Sequence, residues 1–298
     1  MIELGKVDSA DRAACIAECA AVLGEGPVWV ERETALYWVD IKAPLIWRLD
    51  YETWHFEHWT PPLRIGSIGP RRDGGFVAGT EQGFAVIDLA ANRYEIIANP
   101  EIDRPRNRFN DGKLDRAGRF WAGTMDDDEQ EASGALYRLD PDLRWERIDD
   151  GYGVTNGPAF SPDGRFMYHS DSAARTIYRF ELDEAGRATG KLPFARFGEE
   201  EGYPDGMTVD ADGCLWVVLW DGWCLRRLDP NGARIGLLPL PVQRPTSCAF
   251  GGPDLDRLFI TSATVGLTQK YLAMQPFAGG LFVALPGVRG VPGGCFAG

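Results

Sequence analysis

The sequence has no unbroken apolar run of about 18 residues, the length an ordinary membrane-spanning helix requires. Its first eight residues, Met1-Ile-Glu-Leu-Gly-Lys-Val-Asp8, lack the apolar core of a secretory signal. A cytoplasmic location with no membrane partner is expected. Histidine is scarce, at three residues, and no Gly-X-Ser-X-Gly elbow occurs, so a Ser/His/Asp hydrolase finds no support. His55 and His58 fall on alternate faces of any strand, and His169 lies inside an apolar run where packing is its expected role. The six cysteines (Cys15, Cys19, Cys214, Cys224, Cys248 and Cys295) lack the paired spacing of a zinc site and are too sparse for a disulfide scaffold. Positive charge is short as well. Lys and Arg number 31 against 44 Asp and Glu, a net charge of −13 with no basic stripe, which argues against a protein that works by neutralising nucleic-acid phosphates. Gly151-Tyr-Gly153 lacks the strand, turn and helix context of a phosphate loop.

What is plentiful is glycine (36), proline (20) and aromatics (10 Trp, 9 Tyr and 15 Phe), a composition that favours many short strands joined by tight turns. Apolar runs recur as Leu36–Ile41, Phe76–Thr80, Phe120–Thr124, Phe166–Ser170, Leu215–Leu219 and Leu258–Ser262, their starts 40, 44, 46, 49 and 43 residues apart. A second strand-like piece follows each: Ile46–Asp50, Phe84–Asp88, Leu136–Asp140, Ile177–Glu181, Leu225–Asp229 and Leu281–Leu285. Hairpin signals such as Asp73-Gly, Asp163-Gly, Asp212-Gly and Asn231-Gly mark turns among them. No comparable 3.6-residue period runs through the chain. Six units of about 45 residues predict an all-β, six-bladed β-propeller occupying residues 1–298 as one domain. The sixth unit is short of an outer strand, and Ala14–Cys19 is the segment expected to supply it. A β-sandwich would also space its strands closely but would not give six matched units.

Aligning the units exposes a polar residue 9 to 11 positions before each apolar run: Glu25, Ser67, Asn110, Asn156, Asp205 and Ser247. Equivalent positions of successive blades ring a propeller's axis, so these six should meet at one mouth of the channel. Four can offer oxygen ligands, and two carboxylates with an amide oxygen are what a hard divalent cation takes. The alternative is that Glu-Gly, Asn-Gly and Asp-Gly are turns before strands. Insertions over 126–134 and 264–280 are expected to overhang the same mouth, where functional loops belong.

Six stretches in order resemble the gluconolactonase/regucalcin group, also called senescence marker protein 30. They are Leu23-Gly-Glu-Gly-Pro-Val-Trp29, Asn107-Arg-Phe-Asn-Asp-Gly-Lys113, Phe120-Trp-Ala-Gly-Thr-Met125, Thr155-Asn-Gly157, Tyr203-Pro-Asp-Gly-Met207 and Pro245-Thr-Ser-Cys-Ala-Phe-Gly-Gly252. The resemblance implies a six-bladed propeller with one catalytic divalent metal held by Glu25, Asn156 and Asp205. It also implies substrate contacts from Arg108 and Asn110. Regucalcin-like members carry a Glu shortly after Gly-Thr-Met; counting on from Met125 gives Asp128, a shorter side chain within a run of three Asp, with Asp127 and Glu129 as register alternatives.

Members of the group hydrolyse sugar lactones, which makes a neutral sugar lactone the expected partner and Asp205 the expected acceptor of the attacking water's proton. No obligate protein partner is implied. The expected cofactor is one divalent cation, Ca2+, Zn2+, Mn2+, Mg2+ or Fe2+. Competing expectations are a phosphotriesterase or other esterase using the same metal, and a calcium-binding regulatory protein whose metal is itself the signal.

Overall fold

A strand covered on both faces reads as a near-continuous apolar run, whereas one with a wet face alternates. The computed structural model describes residues 12–298 and shows both kinds in a fixed order within six four-stranded sheets. A short strand, β1 (Ala14–Ala17), comes first. Blade one is β2 (Gly24–Val30), β3 (Ala35–Asp40), β4 (Leu45–Asp50) and β5 (Phe56–Trp59). Blade two is β6 (Ile65–Pro70), β7 (Phe76–Thr80), β8 (Gly83–Asp88) and β9 (Arg93–Ala98). Blade three is β10 (Asn107–Leu114), β11 (Phe120–Asp126), β12 (Gly134–Leu139) and β13 (Trp145–Tyr152). Blade four is β14 (Thr155–Phe160), β15 (Phe166–Asp171), β16 (Thr176–Leu182) and β17 (Ala188–Arg196). Blade five is β18 (Tyr203–Val209), β19 (Leu215–Trp220), β20 (Cys224–Leu228) and β21 (Arg234–Pro239). Blade six is β22 (Pro245–Gly251), β23 (Arg257–Ser262), β24 (Leu281–Ala284) and, outermost, β1, which pairs antiparallel with β24 through Ala14 and Val283.

The protein is a six-bladed β-propeller, and its core lies between the blades. Tyr37, Val39 and Ile46 of blade one pack on Ile65, Ile68 and Ala85 of blade two. Val77 and Phe84 meet Phe109 and Phe120, Trp121 and Leu136 meet Met167 and Phe180, and Tyr168 and Ile177 meet Met207 and Val217. Val218 and Leu225 then meet Leu258 and Phe282, and Phe259 and Val283 close the circle on Leu36 and Trp38. The second strand of each blade is buried along nearly its whole length, as in β3, β7 and β11. Outer strands such as β9 and β21 are largely exposed.

Because β2, β6, β10, β14, β18 and β22 begin on one face and end on the other, the loops after the second strands emerge beside the starts of these inner strands. The loop after β23 carries the single α-helix among the described residues, α1 (Gln269–Met274), which the sequence periodicity did not show. On the opposite face the C-terminal segment crosses the ring. Gly290 bridges to Asp210, Phe296 bridges to Arg71, and the Phe296 ring is fully buried among blades two and three. Val291–Gly294 line a cavity of about 120 Å³ at that end of the channel, together with Lys113.

Candidate functional site

Each inner strand is irregular at the same place. Register breaks between Glu25 and Val28, Ile65 and Ser67, Phe109 and Gly112, Asn156 and Ala159, Pro204 and Met207, and Pro245 and Cys248. A β-bulge places an extra residue against one on the partner strand and re-aims the side chains around it. The Glu-Gly, Asn-Gly and Asp-Gly pairs are therefore bulges inside strands, not turns between them. Gly26 (φ +54°) and Gly157 (φ +83°) supply the left-handed backbone that two of these bulges need.

The bulges bring six residues of six blades to the axis, all buried: Glu25, Ser67, Asn110, Asn156, Asp205 and Ser247. Asn156 is fixed on both sides of its amide. Its Oδ1 accepts from Asn110 Nδ2 at 3.1 Å, and its Nδ2 donates to Ser172 Oγ at 2.9 Å, which in turn donates to Pro204 O at 2.6 Å. One lone pair of Asn156 Oδ1 stays uncommitted by that pattern. Asn110 Oδ1 accepts from Arg108 Nη1 at 2.7 Å, so a line of hydrogen bonds runs outward from Asn156 to Arg108.

The bulge in β10 also turns Asp111 inward, immediately after Asn110. Strict alternation along the strand would have pointed it the other way, which is why sequence reasoning passed over it. Its carboxylate accepts from the backbone N–H of Gly112 and of Gly157. Burial raises the affinity of Glu25 for its proton, and repulsion from Asp111 adds to that. Asp205 is raised in the same direction, first by burial and then by Glu25 and Asp111. Asp111 is raised by burial and opposed by the Lys113 ammonium, which donates to the carbonyls of Met207 and Cys248.

Buried carboxylates are costly unless paired, protonated or bound to a metal. Among the described residues neither Glu25 nor Asp205 forms an ion pair with Lys, Arg or His. Three carboxylates thus face one another around the axis, with Arg108 and Lys113 as the cations that act on Glu25, and a bound divalent cation would relieve their repulsion. Asn156 Oδ1, with its uncommitted lone pair, adds an oxygen donor at the same axis. Two carboxylates and an amide oxygen form a hard-oxygen set, and a divalent cation fits it.

Around this centre, Arg108 is almost fully buried and Asp128 is not. Asp128 is exposed on the loop after β11, where its carboxylate acts on the exposed Arg106. Its neighbour Asp127 is the residue turned inward, and it accepts from Arg108 Nε at 2.6 Å. The loop then turns back through Glu129, whose backbone is left-handed (φ +56°) and whose N–H donates to Asp126 O. That turn leaves Asp128 on the outside. Of the six site residues expected from sequence, five are gathered at the axis or on its rim and Asp128 stands apart. His169 is fully buried against Tyr152, with both ring nitrogens unpartnered among the described residues, and burial lowers its pKa to about 3.

The family model described as SMP-30/Gluconolactonase/LRE-like region matches residues 23–264. A 6-deoxy-6-sulfogluconolactonase of Pseudomonas putida is 37% identical over 285 residues, covering 95% of this chain and 98% of the relative. Regucalcin of Danio rerio is 38% identical over 283 residues, covering 93% and 96%. Among solved structures, a calcium-binding regucalcin from Agrobacterium tumefaciens superposes with a TM-score of 0.90 at 26% identity, covering 95% of this chain and 96% of the other.

Proposed function

The chain belongs to the SMP-30/gluconolactonase/LRE-like family, and from that footing we propose that it hydrolyses a sugar lactone to the aldonic acid with the help of one divalent cation. The observation that carries the reading is the axial cluster. Glu25, Asn156 and Asp205 offer two carboxylates and an amide oxygen in a buried site where desolvation and mutual repulsion disfavour the charged carboxylates unless a cation is bound. When bound by these three residues, the cation supplies Lewis-acid polarisation of the lactone carbonyl and a lower pKa for a water.

The chain's own residues do the rest. Asp205 accepts a proton from the water as its oxygen bonds to the carbonyl carbon, and returns it to the ring oxygen as the C–O bond of the ring breaks. The products are the open-chain hydroxyl and the acid. Asn110 holds Asn156 in place through its amide. Arg108 commits Nε and Nη1 to the protein and keeps Nη2 for hydroxyls of the sugar. Asp128 serves as a sugar contact only for a substrate large enough to reach the loop tip.

The test is a lactone panel assayed by acid release, with the chelated protein reloaded with calcium, zinc, manganese, magnesium or ferrous iron. Turnover should vanish on chelation and return with at least one metal. Stoichiometric calcium binding with no lactone turned over by any metal form would overturn the lactonase reading in favour of a calcium-binding regulatory role.

A further inference from the structure

Asp127 receives three cations from three blades. Lys42 Nζ, from the turn between β3 and β4, donates to Oδ1 at 2.9 Å. Arg64 Nη1, just before β6, donates to Oδ2 at 2.7 Å. Arg108 Nε, on β10, donates to Oδ1 at 2.6 Å. Arg64 is itself held by Glu81, which accepts from its Nε at 2.6 Å and from its backbone N–H at 3.0 Å. The main chain anchors the same residue, since Asp127 N donates to Arg106 O at 3.0 Å. Burial would raise the Asp127 carboxyl, but the bonds from Arg64, Lys42 and Arg108 outweigh it and hold the group well below the usual carboxylate range.

The consequence falls on Arg108. Its side chain is only 4% exposed, and Asp127 is the one carboxylate within ion-pair distance of it among the described residues. A guanidinium buried that deeply needs a partner, and its planar fork lets the partner fix its orientation. Asp127 takes Nε from the rim side while Asn110 takes Nη1 from the axial side, so the guanidinium plane is set by two contacts and Nη2 is the nitrogen with no hydrogen-bond partner among the described residues. We infer that Asp127 is a positioning residue for Arg108, braced by Lys42 and Arg64, and that it sets how firmly the sugar is held without touching the sugar or the reacting atoms. The inference rests on Arg108 meeting the substrate, as in the proposed function.

The experiment compares Asp127→Asn, Asp127→Glu, Arg108→Ala and the double variant Asp127→Asn/Arg108→Ala in the metal-loaded protein. It reads kcat and KM on the best lactone, and calorimetric affinity for the aldonate product. Asp127→Asn should raise KM and weaken product binding about tenfold, the scale of a misplaced positioning group, with kcat changed less than about threefold and metal stoichiometry unchanged. Asp127→Glu should recover part of the loss. In the Arg108→Ala background, Asp127→Asn should change KM less than about twofold, because a residue acting through Arg108 has nothing left to act on. A further tenfold loss there, or a wild-type KM in Asp127→Asn alone, would overturn the inference while leaving the lactonase reading intact. A wild-type KM in Arg108→Ala would instead overturn the substrate role of Arg108 and the inference with it. Should Asp127→Asn not fold, Lys42→Met combined with Arg64→Met tests the brace from its exposed side: a rise of about threefold or more in KM supports the inference and an unchanged KM refutes it.

Discussion

Glu25, Asn156 and Asp205 sit at the start of inner strands, away from the apolar clusters between blades that hold the ring together. Glu25→Gln, Asn156→Ala and Asp205→Ala should accordingly abolish metal binding or lactone turnover while leaving the far-ultraviolet dichroism unchanged. Calorimetric titration with calcium and a turnover assay check this, and full metal stoichiometry with normal turnover in Asp205→Ala would sink the assignment. His169 makes a separate point about buried polar groups. Its pKa is lowered to about 3 by burial, below the unfolded value near 6.5. A depressed pKa contributes stability that is present above pH 6.5 and is lost as pH falls toward 3, because the unfolded chain takes up the proton first. His169→Leu should therefore lose less stability than the wild type across that window, the difference growing by up to about 1.4 kcal/mol per pH unit. Urea unfolding of both proteins at pH 7, 6, 5 and 4 would show it, and parallel curves would refute it.

Elements that obey simple alternation were legible, and those that break it were not. The second and third strands of all six units fall where apolar runs place them, since burial on one or both faces leaves a period that a sequence displays. The bulges do not show, because one extra residue inverts the facing of everything beside it. Asp111 was missed for that reason, and the placing of Asp127 and Asp128 was equally hidden, being set by a loop turn and by partners 85 and 63 residues away, Lys42 and Arg64. The C-terminal crossing is a similar case. Phe296 lies in a segment with no repeat to flag it, yet it is fully buried against Val77, Phe84 and Phe120. Phe296→Ala should cost about 3 kcal/mol by removing a large buried ring, measured as a shift in the urea midpoint at unchanged slope. A change under about 0.5 kcal/mol would mean the segment is not docked in solution.

At the scale of the whole ring, closure depends on β1, the fourth strand of blade six, which comes from the other end of the chain and pairs with β24. Removing residues through Ala17 exposes the edge of β24 and the apolar groups Leu281 and Val283 beside it, which are buried in the closed ring. The truncated protein should melt well below the full chain and aggregate, whereas an equal melting temperature would show that the strand is dispensable. The proposed metal would work on the same scale, since the donors assigned to it come from blades one, four and five. A free cation at a hundred times its dissociation constant should add about 2.7 kcal/mol of stability, read as a higher melting temperature in the wild type and no shift in Asp205→Ala. The sequence by itself determined the six repeats, the second and third strands of each and the ring of polar residues. These follow from local period and from equivalence between units. Only the tertiary structure decided that this ring encloses a third carboxylate with a lysine beside it, and that Asp127 rather than Asp128 grips Arg108. Those outcomes depend on how bulges and a loop turn aim side chains across blade boundaries, information that no single unit of the sequence carries.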